Sequence, residues 1–142
     1  MTRYFDASAL VKRYVRERGS AKTRRLLAVD AAATSRISEV EIASAIIRRS
    51  REGAFTIAKR DRMLAALQTD FPALLVVELT PEITSSARSL LARHQLRAGD
   101  AVQLASCLYL QRELAQSVPF IGFDIRLVEA ARREGVVSPR GR

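Results

Sequence analysis

Apolar and polar positions along this chain follow two periods in turn, and the switches between them divide it into elements. Residues 2–5 (TRYF) make a short apolar-leaning stretch that stops at Asp6 and predicts a strand. From Ala7 to Arg16, the residues Leu10, Val11, Tyr14 and Val15 recur at helical spacing until Gly19 breaks the run. A second helix is expected over 20–29 with a serine cap. The small residues 32–35 suit a short buried strand. Ser35 or Ser38 then opens a helix with Val40, Ala43 and Ile47 on one face, ending before Gly53. Thr56 begins another helix, which Pro72 stops near Phe71. LLVVEL, residues 74–79, is short and apolar and predicts a buried strand. Thr80-Pro81-Glu82 supplies a cap, a proline at the first helical position and an early acid, so a helix runs from there to about His94. The apolar run around residues 100–114 is a further helix. VPFIGF (118–123) is a strand, and a helix over 124–134 ends at Gly135. Val136-Val137 is expected as a last edge strand.

Strands alternating with helices predict an α/β fold, a three-layer α/β/α sandwich around a mainly parallel central sheet. The 142 residues suffice for one domain with a real core, taken as 1–137, with a flexible Pro/Gly/Arg tail expected at 138–142. The start, MTRYFDASAL, meets an acid at position 6 and holds no apolar signal-like region. The longest uncharged run, Ala101 to Gln111, falls far short of the roughly 20 residues a spanning helix needs. Cys107 is the single cysteine, set in an apolar helix where a thiol acts as a small buried hydrophobe. These features point to a soluble protein of the reducing cytoplasm without membrane contact.

Charge changes the picture only in part. Lys plus Arg number 24 against 15 Asp plus Glu, a formal net charge of +9. That surplus suits attraction to a polyanion such as RNA or DNA. Yet 21 of those basic residues are arginine and 3 lysine, a skew that GC-rich coding produces without selection for binding. Charge alone leaves the partner open.

The acids decide more. In an open α/β sheet the functional crevice lies beyond the carboxyl ends of the strands. Asp6 follows the first strand, Asp124 follows VPFIGF, and Asp100 opens a helix beside the most apolar run. Glu41 lies one turn into the helix after residues 32–35, sharing a side with Ile37 and Ser44. Each has an ordinary structural reading as well. Asp6, Asp100 and Asp124 fit helix N-caps, Asp100 with Gln103 as its capping-box partner, and Glu41 fits a pair with Arg48 or a solvated position. What sets these four apart from acids such as Glu52, Asp61, Glu113 and Glu134 is apolar flanking sequence at points the fold brings together.

Converging carboxylates either share a proton or bind a cation. Without a Cys/His ligand set, an all-oxygen group suits Mg²⁺ or Mn²⁺ better than zinc. A basic exterior around an acidic, metal-loaded pocket is what a nuclease requires. No Gly-rich phosphate loop is present, which argues against an α/β phosphatase or nucleotide hydrolase. A binding module with an inactive metal site, acting through RNA or a partner protein, is the other reading. Arg97 and Arg126 flank two of the acids and are candidates for holding RNA phosphates, beside their ordinary reading as solvated helix-end residues. His94, near a helix C-terminus, has no catalytic role because metal-activated water needs no imidazole base. Tyr4, Phe5, Tyr14 and Tyr109 belong to the core or to a dimer surface.

Four stretches carry a family likeness. FDASALVKRYVRERGS (5–20), TSRISEVEIASAI (34–46), LRAGDAVQLASCLYL (96–110) and FIGFDIRLVEAARREGV (120–136) resemble the motif blocks of PIN-domain proteins, in the family's order. The likeness is strongest to the VapC toxins of bacterial and archaeal toxin–antitoxin pairs. It implies that Asp6, Glu41, Asp100 and Asp124 are the acidic quartet holding Mg²⁺ or Mn²⁺, and that Ser8 is the hydroxyl residue near that site. It further implies RNA cleavage, a homodimer, and inhibition by a small antitoxin whose tail enters the active-site groove. One departure stands out. Relatives often have Ser or Thr two residues before the fourth acid, where this chain has Gly122.

Overall fold

Tyr4 and Phe5 are neighbours on one strand, both fully buried, yet they belong to two different cores. Alternation of side chains across a strand requires this, and it sets the layers of the molecule. A computed structural model describes residues 1–139. The elements run β1 (Thr2–Phe5), α1 (Ala7–Tyr14), α2 (Ser20–Val29), β2 (Ala31–Ser35), α3 (Ile37–Arg51) and α4 (Ile57–Asp70). There follow β3 (Leu75–Val77), α5 (Pro81–Arg93), α6 (Ala98–Leu114), β4 (Phe120–Ile121) and α7 (Ile125–Arg133). The four strands form a fully parallel sheet in the order β3-β2-β1-β4.

Helices cover both faces, as a parallel sheet demands. On one face Tyr4, Ala33 and Val77 pack with Ile83, Leu104 and Leu127 from α5, α6 and α7. On the other, Phe5 packs with Leu10, Ile42, Ile46 and Leu67 from α1, α3 and α4. Each large side chain so buried contributes about 1.5–3 kcal/mol over its exposed state. Tyr4 also stacks on Phe120 with ring centroids 5.5 Å apart, which fixes β4 against the centre of the sheet. Among the described residues no helix is long and apolar enough to cross a membrane.

Most expected elements form within a residue or two of their predicted limits, and the departures have local causes. The strand expected over 118–123 shrinks to Phe120–Ile121. Pro119 has no N–H to give, and the Phe123 N–H leaves the sheet to bond Ser8 Oγ. The expected edge strand at 136–137 does not form. The Val136 N–H closes the end of α7 on the Ala131 carbonyl, and Val137 accepts from the Phe120 N–H. Of the tail expected from 138, Ser138 is tied by its hydroxyl to the Phe120 carbonyl, and residues 140–142 lie outside the described residues.

Candidate functional site

The carboxyl edge of the sheet gathers the acids because of what ends each strand. β1 stops at Asp6, whose Oδ1 accepts from the Ala9 N–H (2.9 Å) and so caps α1. Ser8 Oγ donates to the same oxygen at 2.7 Å, and accepts from the Phe123 N–H at 3.1 Å. Ser8 thereby ties Asp6 to the loop that leads into Asp124. Asp124 caps α7 in turn, with Oδ1 accepting from the Leu127 N–H at 3.1 Å. Both capping readings hold, and they coexist with a shared edge.

Asp100 is different. The helix begins two residues earlier than the sequence suggests, so Arg97 is the N-cap residue and Asp100 stands one turn in. Its Oδ2 reaches back to the Arg97 N–H at 3.4 Å. Gln103 is not its capping partner. That side chain is buried and reaches across to α3, where Nε2 donates to Glu41 Oε1 (2.8 Å) and to Ser38 Oγ (2.9 Å). Glu41 therefore takes its hydrogen bond from Gln103, not from Arg48.

Two glycines give the acids room. A Cβ on Gly122 would stand 2.9 Å from Asp6 Oδ2, and one on Gly99 would stand 2.9 Å from Glu41 Oε2. Both distances are below ordinary contact, so no side chain fits at either place without displacing a carboxylate. In Asp6 and in Glu41 alike, one oxygen is held by hydrogen bonds and the other is packed against a glycine.

The electrostatics follow from this crowding. Asp6 is 2% exposed, and burial pushes its carboxyl up to about 7. The hydrogen bonds from Ser8 and Ala9 oppose that rise, while the charges of Glu41 and Asp100 add to it. Burial likewise raises Glu41, against the Gln103 hydrogen bond and with help from Asp100. Asp100 is raised by burial first and by Asp124 second. Asp6, Glu41 and Asp100 are thus each raised in part by the charge of another acid, although the chain separates them widely. Among the described residues no three His, Cys, Asp or Glu side chains form a ready-made ligand cluster. A hard cation does not need one, since it keeps several waters and takes one or two carboxylates. The all-oxygen donor set fits such an ion.

Asp100 and Asp124 open onto a groove of about 710 Å³, also lined by Arg97, Arg126, His94 and Ile125. Both arginines are exposed there. His94 belongs to the groove wall as a structural clamp. Its Nε2 meets Glu134 Oε2 at 2.6 Å, and Arg93 holds the other oxygen, so the end of α5 is tied to the end of α7. Arg93, and then His94, hold the Glu134 carboxyl below its usual range. Sequence reading took Gln103 for the capping-box partner of Asp100 and missed its reach to Glu41. Its one visible signal was a large amide inside an otherwise apolar helix face.

A model of the PIN domain matches residues 3–132. Two curated proteins of Mycobacterium tuberculosis strains, Ribonuclease VapC45 and Ribonuclease VapC49, are each 36% identical over 106 residues, covering 74% of this chain and 74% of each relative. Among solved structures, the sarcin–ricin-loop-cleaving toxin VapC20 of M. tuberculosis superposes with a TM-score of 0.69 at 17% identity, over 92% of this chain and 95% of that one. A toxin–antitoxin complex from Klebsiella pneumoniae gives 0.66 at 19% identity, over 99% of both chains. At those identities the structures speak for the fold.

Proposed function

The chain belongs to the PIN-domain family, and on that premise we propose that it is a divalent-metal-dependent endoribonuclease acting as the toxin of a toxin–antitoxin pair. The observation that carries the reading is the approach of Asp6 and Glu41, which feel one another's charge, each pinned by hydrogen bonds at one oxygen and with the other set against a glycine. Asp6, Glu41, Asp100 and Asp124 are the carboxylates that would hold Mg²⁺ or Mn²⁺, directly or through its waters. The ion, when bound, supplies Lewis acidity toward a phosphodiester oxygen and makes water a nucleophile near neutral pH. Ser8 keeps Asp6 oriented through its donated hydrogen bond. Arg97 and Arg126 hold RNA phosphates along the groove on either side of the acids. Curated relatives named as ribonucleases support the activity, and a solved toxin–antitoxin complex of the same fold supports a small antitoxin as partner.

A homodimer belongs to the same reading. Val40, Leu64, Leu74 and Val76 line a groove of about 800 Å³ between α3, α4 and β3, and Val40 is 69% exposed. A second copy covers such apolar surface. The test of the activity is RNA cleavage with Mg²⁺ or Mn²⁺ by the parent, Asp6→Asn and Asp100→Asn. Both variants are expected to lose more than the roughly 10–100-fold that partners beyond the ligands are worth. Variants that cut as fast as the parent overturn the site.

A further inference from the structure

Gln103 lies fully inside the protein with every polar group of its amide engaged. Tyr4 Oη donates to Oε1 at 2.5 Å, and the two hydrogens of Nε2 go to Glu41 Oε1 and Ser38 Oγ. The direction of each bond is determined. The Tyr4 hydroxyl carries its single proton at neutral pH and gives it to Oε1. At the far end, Thr34 Oγ1 donates to the Phe5 carbonyl at 2.7 Å, which commits its only proton. Ser38 must therefore supply the hydrogen of its 2.7 Å bond to Thr34, and can only accept from Gln103. Turning the amide over would set its oxygen against Glu41 Oε1 and its NH₂ against the Tyr4 hydroxyl.

We propose that Gln103 is a positioning residue, whose carboxamide, oriented by Tyr4, holds one oxygen of Glu41 so that the other is presented toward the cation. The proposal deepens the nuclease reading and rests on it. The same chain of bonds ends on the carbonyl of Phe5, the residue before Asp6, and Gln103 itself stands one turn after Asp100. One buried polar chain thus joins the segments that carry three of the four acids. Such a chain is costly to bury unless complete, and here it is complete.

Calorimetric titration with Mn²⁺ tests this on the parent, Gln103→Met, Tyr4→Phe, Glu41→Gln and the double variant Gln103→Met/Glu41→Gln. Gln103→Met is expected to weaken Mn²⁺ binding about tenfold or more. Tyr4→Phe shifts it the same way by less. In the Glu41→Gln background the Gln103→Met change has no further effect, because its partner is gone. An equal loss in both backgrounds overturns the proposal, since a general structural defect acts without Glu41. Unchanged affinity in Gln103→Met overturns it too. Should Gln103→Met fail to fold, Tyr4→Phe removes only a hydroxyl, and unchanged Mn²⁺ affinity there overturns the proposal equally. A parent that binds no Mn²⁺ overturns the metal-dependent reading itself, and this proposal with it.

Discussion

Asp6 combines three demands in a single carboxyl group. It caps α1, it is almost wholly buried, and it lies within reach of the charges of Glu41 and Asp100. Its carboxyl is raised from 3.8 to about 7, so over that interval the folded chain binds more protons than the unfolded one. The sign follows by linkage. Stability contributed by this group is full below its unfolded value and is lost as pH rises through about 7. With a chelator present, the melting temperature is therefore expected to fall between pH 5 and pH 8. Asp6→Asn, which keeps the shape without the charge, should flatten that fall while abolishing cleavage. Thermal melts of both proteins at the two pH values measure it, and equal slopes would remove Asp6 as its source. Cys107 shows the opposite use of burial. Its thiol is pushed up to about 12 by desolvation alone, and it serves as a core side chain.

At the scale of elements, the short strands do more to position the site than the long helices. β4 is two residues long, yet Asp6 donates its N–H to the Ile121 carbonyl at 3.1 Å, which sets Gly122 directly beside the Asp6 carboxylate. The local packing accounts for glycine at position 122. A Cβ would stand 2.8 Å from Phe120 Cε1, and Phe120 is fully buried against Tyr4 and cannot give way. Gly122→Ser is expected to cost about 1–3 kcal/mol of stability through overpacking. It should also weaken cleavage by displacing Asp6 Oδ2. Chemical denaturation and an RNA cleavage assay read the two effects, and a serine variant as stable and active as the parent would show that Phe120 repacks.

The whole molecule carries a formal charge of +9, and its distribution matters more than its sum. Many arginines are held in ion pairs away from the groove, Arg36 with Glu39 and Glu78, and Arg13 with Asp70. Arg97 and Arg126 instead line the groove beside Asp100 and Asp124. Binding of single-stranded RNA to the Asp6→Asn protein, which leaves the RNA intact, should weaken linearly with the logarithm of salt concentration. Replacing either arginine by alanine is expected to reduce that slope by about 0.7. A slope that stays the same would show that the replaced residue touches no phosphate.

Layers, strand order of appearance and the caps at Asp6 and Asp124 were legible in the chain because periodicity and capping are local. Pro81 and Gly135 mark helix limits by backbone chemistry that needs no partner. The start of α6 was misplaced by two residues because Asp100 suits both a cap and a first-turn position, and only packing chooses between them. The two-residue length of β4 was set by a distant hydroxyl, Ser8, which draws the Phe123 N–H out of the sheet. The sequence by itself determined the order of helices and strands up to α7, and that Asp6 and Asp124 stand at helix starts. Tertiary structure alone decided that Gln103 faces Glu41, that Gly99 and Gly122 face carboxylates, and that Tyr4 orients an amide 99 residues away. The reason is physical: hydrophobic spacing is written into neighbouring residues, whereas a hydrogen bond between remote side chains exists only once the backbone has brought them together.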